Sequence, residues 1–196
     1  MHSNDAPLSP QARQILLDVA EASIESGLNH GTPLQLDPER YPSPLCRPGA
    51  SFVTLHAKGT LRGCIGALEA RRPLVRDVAE HAYAAAFDDP RFPRLTQAEL
   101  PGLSIHISRL SRPAPLHCAD EDALLASLRP GVDGLILEEN DHRATFLPDV
   151  WDQLDDPFVF LSQLKYKAGL PLDYWSDSIR FYRYTTESFP ASGANA

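Results

Sequence analysis

The sequence predicts an α+β protein, with a mixed and largely antiparallel sheet flanked by helices. Segments with helical periodicity alternate irregularly with strand-like segments along the 196 residues. Several neighbouring strand-like segments are separated only by short turn sequences, which is typical of hairpins rather than of a doubly wound parallel sheet. A chain of this length suffices for one sizeable domain, or for a large domain and a small one.

The first predicted element is a helix over residues 10–26. Its apolar residues, which include Ile15 and Val19, fall roughly on one stripe, and Gly27 follows as the expected end of the helix. Residues 31–49 then contain five prolines. Because this density is incompatible with a regular helix or a central strand, we expect a loop with short edge pieces.

A hairpin is predicted after this loop. Residues 50–57 and 60–68 both have strand character, and Lys58-Gly59 suits the turn between them. The side chains of a strand alternate between its two faces, so the register of the hairpin decides what surrounds each residue.

Two registers are compatible with the sequence around Cys64. With a two-residue loop, Cys64 shares a face with Val53 and Leu55. With a three-residue loop, Cys64 lies with Thr54 and His56 instead. A slip of one residue exchanges the two faces, and the sequence does not decide between them.

The rest of the chain predicts further helices and strands. Pro73 is suited to a helix start. Thr96 and Glu99 have the spacing of a capping box, while Asp156 is suited to cap a helix that Gly169 ends. In chain order, the predicted elements are a helix over 73–87, a short helix over 96–100, a strand over 103–110, a helix over 120–129, a hairpin over 134–139 and 142–147, a helix over 157–168, and a last strand over 179–185.

Composition disfavours several classes of protein. The formal net charge of −8 disfavours nucleic acid as a general partner, because phosphate binding requires a basic surface. No apolar run approaches the roughly 20 residues of a membrane span, and the N-terminus lacks the pattern of a secretory signal. Three widely spaced cysteines indicate a reduced, cytoplasmic protein. Residues 1–10 and 190–196 are expected to fray.

Residues 61–66, with the sequence LRGCIG, carry the strongest chemical signal. The thiol lies between Gly63 and Gly66, and glycines allow a close approach to the main chain. In a regular strand Arg62 and Cys64 point to the same face, and a cation beside a cysteine stabilises its reactive thiolate. The motif predicts a reactive cysteine, against the alternative that Cys64 is a small buried hydrophobe.

A reactive thiolate also needs a base or cation nearby in space, and three histidines are candidates: His56, His81 and His106. Asp77 and His81 have the i, i+4 spacing of a helical pair, which is one part of a nucleophilic triad. An ordinary surface pair is the favoured interpretation of that spacing, because such pairs are common.

A second candidate for binding is the turn that contains Asp89 and Arg91. The planar guanidinium of Arg91 is suited to hold an anionic ligand, although a plain helix stop also explains the aspartate. No histidine or cysteine pair has the spacing of a metal site, and no glycine-rich phosphate loop is present. We therefore predict neither a metal nor a cofactor.

The order of these motifs resembles that of the AMMECR family, which in bacteria is called AmmeMemoRadiSam system protein A. The resemblance covers about residues 10–188, and its most specific parts are LRGCIG and the DPRF turn at 89–92. Further matches lie at 72–74, 85–87, 99–100, 105–108, 131–135, 146–148 and 167–170, with Trp175.

The resemblance implies a single AMMECR-type domain over residues 1–196, with its core over about 10–188. Within it, a larger part is built from both ends of the chain and a smaller part is inserted. The resemblance also implies that residues 61–66 form the functional region. The partners that it implies are a Memo-like protein and a radical-SAM enzyme.

Two functions are compatible with these observations. In the first, Cys64 is the nucleophile or covalent carrier of an enzyme or of a catalytic component of the AmmeMemoRadiSam system. Arg62 and Arg91 then supply positive charge for an anionic small molecule, and His56 and His81 are the hypothetical assisting groups. In the second, the same segment is the docking surface of a non-catalytic adaptor. A third interpretation is that the segment simply closes the sheet and that function lies elsewhere.

Overall fold

The structure is a computed structural model that describes residues 6–190. It confirms the predicted α+β class, since helices accompany two largely antiparallel sheets. The chain divides into two compact units, one of Met1–Leu110 with Glu187–Ala196 and the other of Ser111–Thr186. The second unit is one continuous segment, whereas the first unit is drawn from both sides of it. None of the described helices is long and apolar enough to cross a membrane.

The first unit contains a sheet with the strand order β2-β1-β4-β9, with β3 beside β1. The bounds of its strands are β1 Pro48–Ala57, β2 Thr60–Gly66, β3 Arg72–Pro73, β4 Leu103–Leu110 and β9 Thr186–Pro190. Its helices are α1 Pro10–His30, α2 Ser43–Cys46 and α3 Leu74–Phe87, with 3₁₀ turns at Pro38–Arg40 and Gln97–Gly102. The short α2 lies in the proline-rich segment that the sequence predicts as a loop.

The core of the first unit lies between its sheet and helices α1 and α3. Alternate residues of β1 and β4 face this core: Val53, Leu55, Ile105 and Ile107 are buried. They belong to one apolar cluster with side chains of the two helices, among them Leu16, Ala20, Ile24, Val78 and Ala82. Because α1 and α3 cover this face of the sheet, the opposite face is the one that can carry a functional site.

Helix α1 is one turn longer than the sequence predicts. Gly27, the predicted end, is an interior residue whose missing side chain leaves room for the ring of Phe87. Gly31 ends the helix instead, with a φ of 74° and with its N–H donating to the Gly27 carbonyl. The sequence shows two glycines, but only contact with Phe87 distinguishes the packing glycine from the capping one.

Strands β1 and β2 form the predicted hairpin, with Lys58 and Gly59 as its two-residue loop. Both loop residues have positive φ, 52° and 77°, as a type I′ turn requires. The pairing is nevertheless irregular, because the register shifts between Leu55 and His56 of β1. A two-residue loop is therefore correct, but the face predicted from it is not.

The irregularity is a β-bulge that adds one residue, Arg62, to β2. Gly63 pairs with Leu55 and Cys64 pairs with Thr54 across the hairpin. Without the extra residue, the same loop would place Cys64 on the opposite face of the sheet. Strict alternation, which predicts Arg62 and Cys64 on one face, is wrong at this point of the strand.

Asp77 and His81 form the predicted helical pair, but the pair is buried. The side chain of Asp77 is 1% exposed, and its Oδ2 lies 3.2 Å from His81 Nδ1. The same oxygen accepts the N–H of Ser51 at 2.9 Å and the Ser51 hydroxyl at 2.8 Å. The surface-pair interpretation is therefore wrong, because this carboxylate joins α3 to β1 inside the protein.

The second unit has a separate sheet with the order β5-β8-β6-β7. Its elements are β5 Ala114–Leu116, α4 Glu121–Ser127, β6 Gly134–Glu139, β7 His142–Phe146, a 3₁₀ turn Pro148–Asp152, α5 Pro157–Lys167 and β8 Arg180–Tyr184. The predicted hairpin of β6 and β7 is confirmed, as is the Asp156 cap of α5. Trp151 stacks on Phe160 in the core, with ring centroids 3.8 Å apart.

The chain termini are ordered further than the sequence predicts. Leu8 is 4% exposed, and its N–H donates to the Glu187 carboxylate at 2.9 Å. Strand β9 follows the predicted last strand and lies beside β4. The fraying prediction is wrong for Leu8, and residues 1–5 and 191–196 lie outside the described residues.

We expect Gly63→Ala to destabilise the protein by about 2–3 kcal/mol, because the new methyl group would collide with the Ala85 carbonyl oxygen of α3. Gly102→Ala is the matched control, since an added Cβ there meets nothing within 4 Å. It should change the free energy of unfolding by less than about 1 kcal/mol. Urea denaturation measures both, and equal effects would contradict the close packing at Gly63.

Candidate functional site

Strand β2 carries the cysteine motif at the edge of the first sheet. Gly63 packs against the backbone of α3 at Ala85, and Gly66 packs against the ring of Phe52. Each glycine is therefore required by its neighbours, because a Cβ would overlap atoms that are already in place. The binding role predicted for Gly63 and Gly66 stays a prediction.

Arg62 forms an ion pair with Glu99. Its Nε lies 2.7 Å from Glu99 Oε1, and its side chain is 10% exposed. Hydrogen bonding to Arg62, more than to Thr96, lowers the pKa of Glu99 to about 2. The guanidinium that the sequence predicts beside the thiol is thus held by the 3₁₀ turn that Thr96 begins.

Cys64 stands at one end of a row of side chains across three strands. Thr54 of β1 pairs with Cys64 of β2 and with His106 of β4, so the three residues share one face. The hydroxyl of Thr54 donates to Cys64 Sγ over 3.3 Å, and Cys64 is partly exposed. This face is turned away from α1 and α3, because Val53 and Leu55 occupy the other.

Asp89 anchors the backbone of two residues, Cys64 and Arg91. Its side chain is 2% exposed, and its Oδ2 accepts the N–H of Cys64 at 2.9 Å. Its Oδ1 accepts the N–H of Arg91 at 3.1 Å and the Arg91 Nε at 3.0 Å. Hydrogen bonding from the Arg91 side chain, with help from the two backbone donors, holds the pKa of Asp89 well below its usual range.

Arg91 is a cation that contacts the main chain of Cys64. Its Nη2 donates to the Cys64 carbonyl oxygen over 3.3 Å, and its side chain is 55% exposed. The Asp89 carboxylate raises the pKa of Arg91, and the nearby Cys64 contributes a smaller part. The predicted binding residues Asp89 and Arg91 therefore lie together, and they contact the cysteine strand directly.

The three candidate histidines lie in two different places. His81 bonds to Asp77 on the face of the sheet that α3 covers, so the sheet separates it from Cys64. His56 and His106 lie on the same face as Cys64, with their rings edge to face and centroids 5.2 Å apart. Burial, and to a smaller extent His56, lowers the pKa of His106.

Within residues 6–190, no group of three or more His, Cys, Asp or Glu side chains is arranged to hold a metal ion. The ion pair of Arg62 with Glu99 and the hydrogen bond from Cys64 to Asp89 join β2 to the segments following α3, whereas His56 Nδ1 and Arg62 Nη1 are buried without a hydrogen-bond partner among the described residues. The arrangement offers a sulfur with a hydroxyl donor and a partly exposed guanidinium beside it.

Comparison with known proteins identifies the family. The family model described as AMMECR1 matches residues 17–189, which is most of the chain. The chain belongs to the AMMECR1 family. The resemblance found in the sequence is thereby confirmed.

Relatives of this AMMECR1 protein occur in archaea and bacteria. A protein of Methanothermobacter thermautotrophicus is 37% identical over 194 residues, covering 96% of this chain and 98% of the relative. A protein of Thermotoga maritima is 36% identical over 169 residues, covering 85% of this chain and 91% of the relative. The crystal structure of an uncharacterized protein from Pyrococcus horikoshii matches with a TM-score of 0.81 and 31% identity, covering 93% of each chain.

Two contacts at the site are not predicted from the sequence of this AMMECR1 chain. One is the hydrogen bond from Thr54 to Cys64, which exists only because the bulge reverses the face of Cys64. The other is the ion pair of Arg62 with Glu99, which the sequence shows only as a capping-box residue. Gly63 is the sequence signal for the bulge, because a glycine in the interior of a strand often marks one.

Asp89→Ala should destabilise the protein by about 2–3 kcal/mol, because it leaves the N–H groups of Cys64 and Arg91 without their acceptor. Amide hydrogen exchange at Cys64 should become faster as the strand loses this anchor. The neighbouring Asp88→Ala is the control, since Asp88 is half-exposed and bonds only to Arg94 among the described side chains. Unchanged exchange at Cys64 in Asp89→Ala would contradict the anchoring role.

The Arg62–Glu99 pair should make stability depend on acid pH. The pKa of Glu99 is about 2 in the folded protein, below its value of 4.5 in a free side chain. This stabilisation is therefore complete above about pH 4.5 and is lost as the pH falls towards 2.

Glu99→Gln should lower the free energy of unfolding by about 1 kcal/mol at pH 7 and should flatten its decline between about pH 4.5 and 2. Arg62→Gln should abolish the same acid-dependent part, because Arg62 is its main cause. Thermal melts across this pH range measure the effect. A steep decline that persists in both variants would assign it to other carboxylates.

Proposed function

We propose that this AMMECR1 chain acts through Cys64, as a nucleophile or covalent carrier for a substrate with an anionic group. The observation that supports it most is the position of Arg91, whose Nη2 bonds to the carbonyl oxygen of Cys64 itself. A guanidinium held on the main chain of the residue that carries the thiol is placed to attract an anionic group of a substrate.

The immediate surroundings of the sulfur support the same role. The hydroxyl of Thr54 donates to Sγ, which is the polarity that suits a negatively charged sulfur. Asp89 accepts a hydrogen bond of 2.9 Å from the N–H of Cys64, which fixes the position of this residue relative to its neighbours. In this proposal Thr54 and Asp89 are positioning residues.

Arg91 rather than Arg62 supplies the positive charge in this mechanism. Arg62 is nearly buried and paired with Glu99, whereas more than half of the Arg91 side chain is exposed. An exposed guanidinium retains donors for a carboxylate or phosphate group of a substrate. His56 and His106 share the face of Cys64, and His56 lies on β1, the strand that pairs directly with β2.

A second candidate function is that of a non-catalytic adaptor, with a Memo-like protein and a radical-SAM enzyme as its partners. The adaptor function is favoured because several residues of the motif are already engaged in close packing or in an ion pair. Gly63 and Gly66 fill close contacts, and Arg62 is committed to Glu99. Leu61, at the outer end of the motif, is 42% exposed and suited to contact a partner.

Alkylation of the folded protein distinguishes the two functions. Iodoacetate carries a negative charge and iodoacetamide does not, so the ratio of their rates at Cys64 reports the attraction of anions. We expect Arg91→Gln to lower this ratio about two- to fivefold, as for a charge interaction worth up to about 1 kcal/mol. Mass spectrometry of the modified peptides separates Cys64 from Cys46 and Cys118.

Arg94→Gln is the matched control, because Arg94 lies in the same turn, is similarly exposed and likewise pairs with an aspartate, but bonds to Phe87 and Tyr83 rather than to Cys64. It should leave the ratio unchanged. If Cys64 reacts only after the protein unfolds, the nucleophile proposal fails and the adaptor function is the one that remains. If Cys64 reacts but Arg91→Gln leaves the ratio unchanged, Arg91 is not the anion-binding cation.

A further inference from the structure

The second unit carries a groove that the cysteine site does not involve. It lies between α4, α5 and the segment that follows α5, and its cavity volume is about 700 Å³. Its apolar lining is formed by five side chains: Leu125, Phe158, Val159, Leu172 and Trp175. This volume is within the range of sites that bind a ligand or a side-chain cluster of a partner.

The apolar lining is unusually exposed. Phe158 is 59% exposed, Leu172 is 51% exposed and Val159 is 41% exposed. Large apolar side chains gathered around one groove mark an interaction site more often than single exposed residues do. The three lie on α5 and on the segment after it, so one continuous partner surface can cover them together.

The rest of the lining is polar and consists of Ser162, Gln163 and four carboxylates: Asp120, Glu121, Asp122 and Asp173. Within residues 6–190, no lysine or arginine lines it. Among the described residues, Asp122 and Asp173 are exposed and have no cationic partner. The groove is therefore complementary to a partner that combines apolar side chains with positive charge.

A buried lysine holds the walls of the groove in place. Lys165 of α5 is fully buried, and its Nζ bonds to Glu121 of α4 at 2.8 Å and to the Leu172 carbonyl oxygen at 3.3 Å. The same Nζ lies 5.9 Å from the centre of the Trp175 ring. These contacts tie both helices and the following segment together, so the groove exists before a partner arrives.

We propose that this groove binds a basic amphipathic segment of a partner protein. The partner's apolar side chains cover Phe158 and Leu172, and its lysine or arginine residues meet the carboxylates at the edge, as in helix-in-groove recognition. A second copy of this chain is the poorer occupant, because each copy has a net charge of −8. The proposal uses none of the residues around Cys64, so either proposal can fail without the other.

A labelled synthetic peptide of about 14 residues, with leucine on one helical face and lysine on the other, is a direct probe. Fluorescence anisotropy should show it binding, and added salt should weaken the binding. The same peptide with glutamate in place of lysine should not bind. Equal binding of the two peptides would overturn the proposal, because charge would then not contribute to recognition.

Two pairs of variants separate the groove from the general acidity of the protein. The double variant Asp122→Asn with Asp173→Asn should weaken binding about three- to tenfold. The double variant Glu21→Gln with Glu25→Gln removes the same charge from exposed positions of α1 and should bind as the wild type does. Equal losses in both would assign the binding to net charge and overturn the groove.

The apolar contact has its own matched pair. Phe158→Ser should weaken binding about tenfold, because it removes the most exposed apolar side chain of the lining. Tyr166→Ser changes an even more exposed aromatic residue of α5 outside the lining and should have no effect. Self-association of the protein that Phe158→Ser abolishes would overturn the proposal in favour of a second copy. Thermal melts check that all variants are folded.

Discussion

A single extra residue in β2 determines how the cysteine motif of this AMMECR1 protein is arranged. The bulge at Arg62 allows Gly63 to lie against α3 while Cys64 pairs with Thr54 on the other face. The same bulge sends the Arg62 guanidinium to Glu99. Three properties of the motif therefore have one origin: the close helix packing, the orientation of the thiol, and the removal of its adjacent arginine.

The turn after α3 supplies an arginine that contacts Cys64, whereas the bulge directs Arg62 away from it. Asp89 accepts a hydrogen bond from the N–H of Cys64, and Arg91 donates one to its carbonyl oxygen. Both backbone polar groups of Cys64 are therefore held. Because Asp89 and Arg91 also form an ion pair, the aspartate holds the guanidinium in place and offsets part of its positive charge. This explains physically why the hexapeptide and the DPRF turn occur together in one site.

Local signals in the sequence predict much of the fold. The Lys58-Gly59 turn, the strand Leu103–Leu110 and the cap of α5 depend on residues close in the chain, and each is found as predicted. The misplaced end of α1 has a long-range cause, since only the ring of Phe87 shows why Gly27 is a helical residue. Strand β9 is missed for a similar reason, because its partner β4 lies far away in sequence.

The candidate site is predictable in composition but not in arrangement. Cys64, Asp89 and Arg91 are recognised from their residue types, whereas the bulge that selects Thr54 as the neighbour of Cys64 depends on packing against α3. A second group of residues has the composition of a catalytic site but makes structural contacts: Ser51, Asp77 and His81. They contain the three residue types of a hydrolase triad, but the buried Ser51 hydroxyl donates directly to Asp77 and so connects strand to helix.

The position of β9 has a consequence for synthesis of the chain on the ribosome. The second unit lies in the sequence between the two parts of the first unit, so residues 111–186 are made before residues 187–190. The first sheet lacks β9 until then, and Glu187 is not yet available to bind Arg13 and the N–H of Leu8. The earlier part of the first unit must therefore persist with an open sheet edge at β4 while residues 111–186 are made.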